Sequence, residues 1–189
     1  MKKIIFTLAL VFAAINLMAQ EHLSFKGIPI EGSMTEFCQK LKEKGFTYIG
    51  HENNATAFTG DFTGRNAIVG VVSTDDGENV FSVGVIFDAS GEWNTLVNTY
   101  NYYKDLYTRK YGKPDVSKEN NPAHSDSNTS LMLELNNGTV MYKSMWGVTG
   151  GDITLSIGKS SEIFRGQVMI LYRDSQNMET KIQNDLEDI

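Results

Sequence analysis

One cysteine, three prolines and three histidines are all that 189 residues contain of these types, and each scarcity removes a class of protein. A lone thiol, Cys38, rules out an intrachain disulfide and a cysteine-based structural zinc site. His22, His51 and His124 are scattered and form no H-E-x-x-H pair, so no metal-ligating motif is present. Phosphate-cradling motifs are missing as well: "GVTGGD" (147–152) is neither a P-loop nor a dinucleotide fingerprint, and its glycines fit a bend. No G-x-S-x-G elbow occurs, and His124-Ser125-Asp126 are neighbours in a polar stretch rather than a triad assembled in space. "TDDGENV" (74–80) lacks the register of a calcium loop and is expected to be a turn. Positive charge is also short, with 17 basic against 23 acidic side chains and a net charge of -6. That balance repels phosphate backbones and anionic lipid, so neither nucleic acid nor a membrane surface is an expected partner. No cofactor is expected either.

Long hydrophobic runs are missing except at the start. Met1-Lys2-Lys3 followed by the apolar run Ile4 to Ile15 has the form of a signal peptide, too short for the roughly 20 residues that span a bilayer. Cleavage after Ala19 would leave a single domain over 20–189, an exported soluble protein of the periplasm or the extracellular space. Cys38 lies too far downstream of that cut to carry a lipoprotein anchor.

What is present is patterned. Ser33 and Glu36 have capping-box spacing ahead of a helix that Gly45 stops, and Met34, Phe37, Cys38 and Leu41 share one face of it. Cys38 is therefore expected in the core. Period-two alternation then predicts strands near 46–50, 55–62, 67–74 and 80–87 as an antiparallel meander. A second helix is predicted from about Glu92 to Tyr111, with Trp93, Leu96, Val97, Tyr100, Tyr103, Tyr107 and Tyr111 on one face. A long polar loop over 113–129 follows. Strands at 130–136 and 139–146 are expected next, joined by a hairpin at Asn137-Gly138 that would set Leu135 against Val140. "ITLSI" (153–157) and "GQVMILYRD" (166–174) read as further strands, the second apolar on both faces and hence central or covered. Met178, Ile182 and Leu186 mark a last helix.

The expected fold class is α+β: antiparallel sheet with helices packed on one face. The order is compatible with two helix-plus-four-strand units in tandem, about 23–90 and 91–189. The opposite sheet face would then be left to solvent or a partner.

Four residues stand out as binding candidates. Tyr102 falls on the solvent side of the second helix, and Lys104 falls inside its apolar arc, where a lysine ordinarily snorkels. Asp61 and Arg65 flank the tight turn of "GDFTGR", placed either to hold a polar ligand or simply to close a hairpin. No catalytic residue is nominated.

"FKGIPIEG", "FCQKLKEKGF", "FTGDF" and "YKDLYTRKYGKP" together resemble a family of small exported proteins from Gram-negative anaerobic bacteria. The architecture is similar to β-lactamase-inhibitor-like exported binding modules, which grip a partner with an exposed sheet surface. The resemblance implies export and fold but brings no functional residues. The expectation is thus an exported, non-catalytic binding module for another exported protein or a small ligand. The alternatives are a hydrolase assembled across the fold, with 113–129 as a lid, and a structural envelope component.

Overall fold

The computed structural model describes residues 21–187 and 189. The expected signal peptide, residues 1–19, and its cleavage point lie outside the described residues. The chain opens with a small hairpin, β1 (Ser24–Phe25) and β2 (Ile28–Pro29), followed by α1 (Met34–Glu43). Four strands come next: β3 (Thr47–Glu52), β4 (Ala55–Phe62), β5 (Arg65–Ser73) and β6 (Val80–Phe87). The second half runs α2 (Trp93–Tyr111), β7 (Val116–Asn120), α3 (Asn128–Asn137), β8 (Met141–Val148), β9 (Gly151–Lys159), β10 (Gly166–Asp174) and α4 (Ser175–Glu187).

Strands β3 to β10 form one antiparallel sheet in the order β3-β4-β5-β6-β10-β9-β8-β7. Each half of the chain contributes a four-strand meander led by a helix, and the two meanders meet through their last strands, β6 and β10. The protein is α+β, with the helices packed against an antiparallel sheet, as expected from the sequence.

Alternation along the strands creates the core. Val69, Val85, Ile170 and Leu155 are successive cross-strand partners, and all four are fully buried. The next row in the same sense, Val71, Val83, Tyr172, Ile153 and Trp146, is buried too. Onto these rows pack Phe37, Cys38 and Leu41 of α1, Leu96, Tyr100, Tyr103 and Tyr107 of α2, and Met132 and Leu135 of α3. Cys38 is a core residue as expected; burial pushes its thiol pKa up, away from the thiolate that a nucleophile requires. Helix α1 is capped as its sequence predicts, with the Ser33 hydroxyl accepting from the Glu36 N–H.

Two expectations for the second half are corrected. Residues 128–137 form α3, not a strand, and Asn137-Gly138 ends a helix rather than turning a hairpin. Ser127 caps the N-terminus through the Ser130 N–H, and Gly138 takes the left-handed conformation. The Gly138 and Thr139 N–H groups then return to Leu135 and Glu134 carbonyls, the paired bonds of a Schellman ending. Leu131, Met132 and Leu135 so reach the core side by helical spacing, and the predicted pairing of Leu135 with Val140 does not occur. The expected loop 113–129 also contains β7, an edge strand that pairs with β8.

Candidate functional site

The sheet face opposite these core rows is the candidate site. Register places Ala57, Gly70, Gly84, Leu171, Thr154 and Met145 in one row across it. Beside that row runs another: Thr59, Ile68, Ile86, Met169, Ser156, Lys143 and Lys118. At its centre Ile68 is 44% and Leu171 36% exposed, while Ile86 and Met169 are half-buried. Gly70 and Gly84 are directly opposed between them, and a Cβ on Gly70 would meet nothing within 4 Å. Two bare glycines between four apolar side chains leave a shallow depression in an apolar patch.

The patch has charged borders of different kinds. Along its other flank Arg173 and Asp152, themselves cross-strand partners, neutralise each other through bonds of 2.9 and 3.2 Å. Toward the β7 edge Lys143 and Lys118 are directly opposed and exposed, and among the described residues neither has a carboxylate within ion-pair distance. Like charges in direct opposition destabilise a sheet, although a lysine on an edge strand also discourages edge-to-edge pairing.

The four residues singled out in the sequence lie outside this patch. Arg65 and Tyr102 do come together: the guanidinium stands 5.4 Å from the Tyr102 ring centroid and donates to the Thr99 hydroxyl. Asp61 does not pair with Arg65. Its carboxylate accepts from the Gly64 N–H, closing the β4–β5 turn, and its carbonyl accepts from Lys26. That is the hairpin option, with Thr63 and Gly64 both at positive φ. Lys104 reaches over to β7, where it forms an ion pair with Glu119 and donates to Ser117.

The Lys104–Glu119 pair has a pH signature. Partial burial pushes the Glu119 carboxyl up, but the hydrogen bond and charge of Lys104, with bonds from Ser117 and Tyr100, bring it below the usual glutamate value. A carboxylate lowered on folding contributes stability above its unfolded pKa of about 4.3, and that contribution is lost as pH falls through the folded value. Glu119→Gln is therefore expected to be less stable than the parent by about 0.5–1 kcal/mol at neutral pH, with the gap closing below roughly pH 4 in urea titrations.

The residues of the open face were missed because no single stretch of sequence displays them. Gly70 and Gly84 become neighbours only through the β5–β6 register. One signal was present: "GQVMILYRD" is apolar on both faces, which implied a central or covered strand. It is central, but Leu171 on its far face is exposed.

Fold and surface thus define an α+β module with α1, α2 and α3 packed on one sheet face and an apolar, half-charged surface opposite. No family model, curated protein or solved structure matches the chain. Among the described residues, no helix is long and apolar enough to cross a membrane, and no group of three or more His, Cys, Asp or Glu side chains is placed to hold a metal ion.

Proposed function

We propose that this is an exported, non-catalytic binding module that grips another protein with its open sheet face. The observation that carries the proposal is the patch of Ile68, Ile86, Met169 and Leu171 around the Gly70–Gly84 depression. Aliphatic side chains gathered at the centre of a sheet, with polar groups at the borders, have the anatomy of a protein interface. The unneutralised Lys118–Lys143 pair gives the partner its chemistry: an apolar protrusion with acidic groups on the side that meets β7 and β8. Export rests on the basic start and apolar run of residues 1–19.

The immobilised protein, incubated with envelope and culture-fluid extracts, tests this when paired with a blocking variant. Gly70→Glu places a charged side chain in the depression, where its Cβ has free space, so stability should change by no more than about 1 kcal/mol. A partner retained by the parent and by Ile163→Ser, an exposed change in the β9–β10 loop, is expected to be lost with Gly70→Glu. Retention by Gly70→Glu overturns the proposal. A dimer seen in sedimentation of the parent and abolished by Gly70→Glu would replace it with self-association, the role of a structural component.

A further inference from the structure

A second concavity lies on the helix-bearing side, away from the open face. It is a cleft of about 990 Å³ between the N-terminal segment 21–27, the second half of α2, and the end of β8. That volume is at the upper end of the roughly 300–1,000 Å³ range of small-molecule sites.

Its walls are tyrosine rings. Tyr103, Tyr107 and Tyr111 recur every fourth residue along α2 and form a ridge down one wall, with Leu106 beside them and Tyr172 of β10 at the base. The hydroxyls in this wall are largely spent within the protein. Those of Tyr107 and Tyr172 bond to each other, and that of Tyr103 bonds to the Thr63 hydroxyl at 2.8 Å. Tyr107 and Tyr111 stack with rings 18° from parallel. Tyr103, Tyr107 and Tyr172 are themselves buried, so what the wall offers a ligand is the half-buried apolar surface of Leu106, Tyr111 and Val148 rather than hydrogen bonds, which suits an apolar or aromatic body and disfavours a polyhydroxylated one.

The mouth is cationic. Lys26 and Lys110 both line it, with Glu21 as the one carboxylate among the lining residues. Lys110 lies 4.8 Å from the centroid of the Tyr111 ring, and Lys26 is held over the Phe46 ring while donating to the Asp61 carbonyl. Among the described residues neither ammonium has a carboxylate within ion-pair distance. In a chain with six more acidic than basic side chains, two lysines without acidic partners at the rim of one cleft set a local sign opposite to that of the whole.

We propose that this cleft binds an amphipathic organic anion: an apolar or aromatic body that lies on Leu106, Tyr111 and Val148, with one carboxylate or sulfonate at the lysines of the mouth. Such a ligand replaces water on that half-buried apolar surface and supplies the charge that Lys26 and Lys110 lack.

Three probes of one shape separate the parts: naphthoate, the neutral naphthamide and the cationic naphthylmethylammonium, each titrated into the purified protein by calorimetry or fluorescence. Naphthoate should bind at one site about tenfold more tightly than naphthamide, with the ammonium weakest. Lys110→Glu, a change at an exposed residue, should weaken naphthoate about fivefold or more and leave naphthamide unchanged. Leu106→Trp should weaken both by filling the cleft, with circular dichroism confirming that each variant is folded. No naphthoate binding at millimolar concentration, equal affinity for naphthoate and naphthamide, or an unaltered naphthoate affinity in Lys110→Glu would each overturn the proposal.

Discussion

Replacing Asp174 with alanine is expected to destabilise the protein by about 3–5 kcal/mol, read as a lower urea midpoint at unchanged slope. Asp174 ends β10 with its side chain fully buried. One carboxylate oxygen accepts from the Leu23 N–H at 2.9 Å, and the other accepts from the Asn177 N–H at 3.0 Å, capping α4. The ring nitrogen Nδ1 of His22 stands 3.1 Å from the same oxygen that Leu23 uses, adding a polar contact without a well-aligned hydrogen bond. Alanine would strand two buried donors at once, each at a cost of about 1–3 kcal/mol. The loss would spread, because the Asn177 side chain that Asp174 positions also donates to the Ile30 and Val80 carbonyls. One carboxylate thus joins the N-terminal segment, the end of the sheet and the last helix.

Asp174→Asn separates charge from shape. It keeps an acceptor for one of the two N–H groups and turns a donor toward the other, so a loss of about 2 kcal/mol is expected, smaller than that of alanine. Hydrogen exchange should show lost protection at Leu23 and Asn177 in Asp174→Ala. A destabilisation below about 1 kcal/mol would mean that the segment 21–23 is held by its apolar contacts instead.

The sequence displayed what short-range periodicity encodes. Strands β4 to β6 and helix α2 lie within a few residues of their expected bounds, because one face of each is apolar at the period of its own structure. The errors share a cause: signals that fit two structures locally and are decided by tertiary context. Asn137-Gly138 serves equally as a hairpin turn and as a left-handed helix end, and only the packing of Met132 and Leu135 on the core selects the second. "VSKEN" of β7 shows no alternation of apolar residues because an edge strand needs little apolar surface and benefits from lysine.

The candidate sites were harder still, because both arise from juxtapositions that no local pattern encodes. Ile68 and Leu171 are more than a hundred positions apart and meet on the open face through β6. The tyrosine stripe of α2 was legible as a core stripe, which most of it is. That its C-terminal half also walls a cleft depends on where residues 21–27 lie. Tyr102 and Arg65 were singled out as separate oddities, and the fold makes them one contact.

The placement of residues 21–27 can itself be tested, at the β8–β9 turn beneath them. A Cβ on Gly150 would lie 2.2 Å from the Glu21 carbonyl oxygen and 2.5 Å from the Leu23 nitrogen, and one on Gly151 would lie 2.0 Å from the Arg173 carbonyl oxygen. These obstacles are backbone atoms, so no side-chain rotation relieves them. Gly150 also sits at a φ of 81°, which alone disfavours alanine by about 1 kcal/mol or slightly more. Gly77 in the β5–β6 turn shares that conformation, with a φ of 76°, but a Cβ there would meet nothing within 4 Å. Gly77→Ala therefore measures the conformational cost by itself. Gly150→Ala and Gly151→Ala are expected to lose about 3 kcal/mol or more, well beyond Gly77→Ala, because the N-terminal segment or the β9–β10 pairing must move to admit the methyl group. If Gly150→Ala costs no more than Gly77→Ala, the segment does not press on this turn in solution. The cleft would then lack its wall at Glu21 to Leu23, so one thermal or urea series on three alanine variants bears on the fold and on the proposed anion site together.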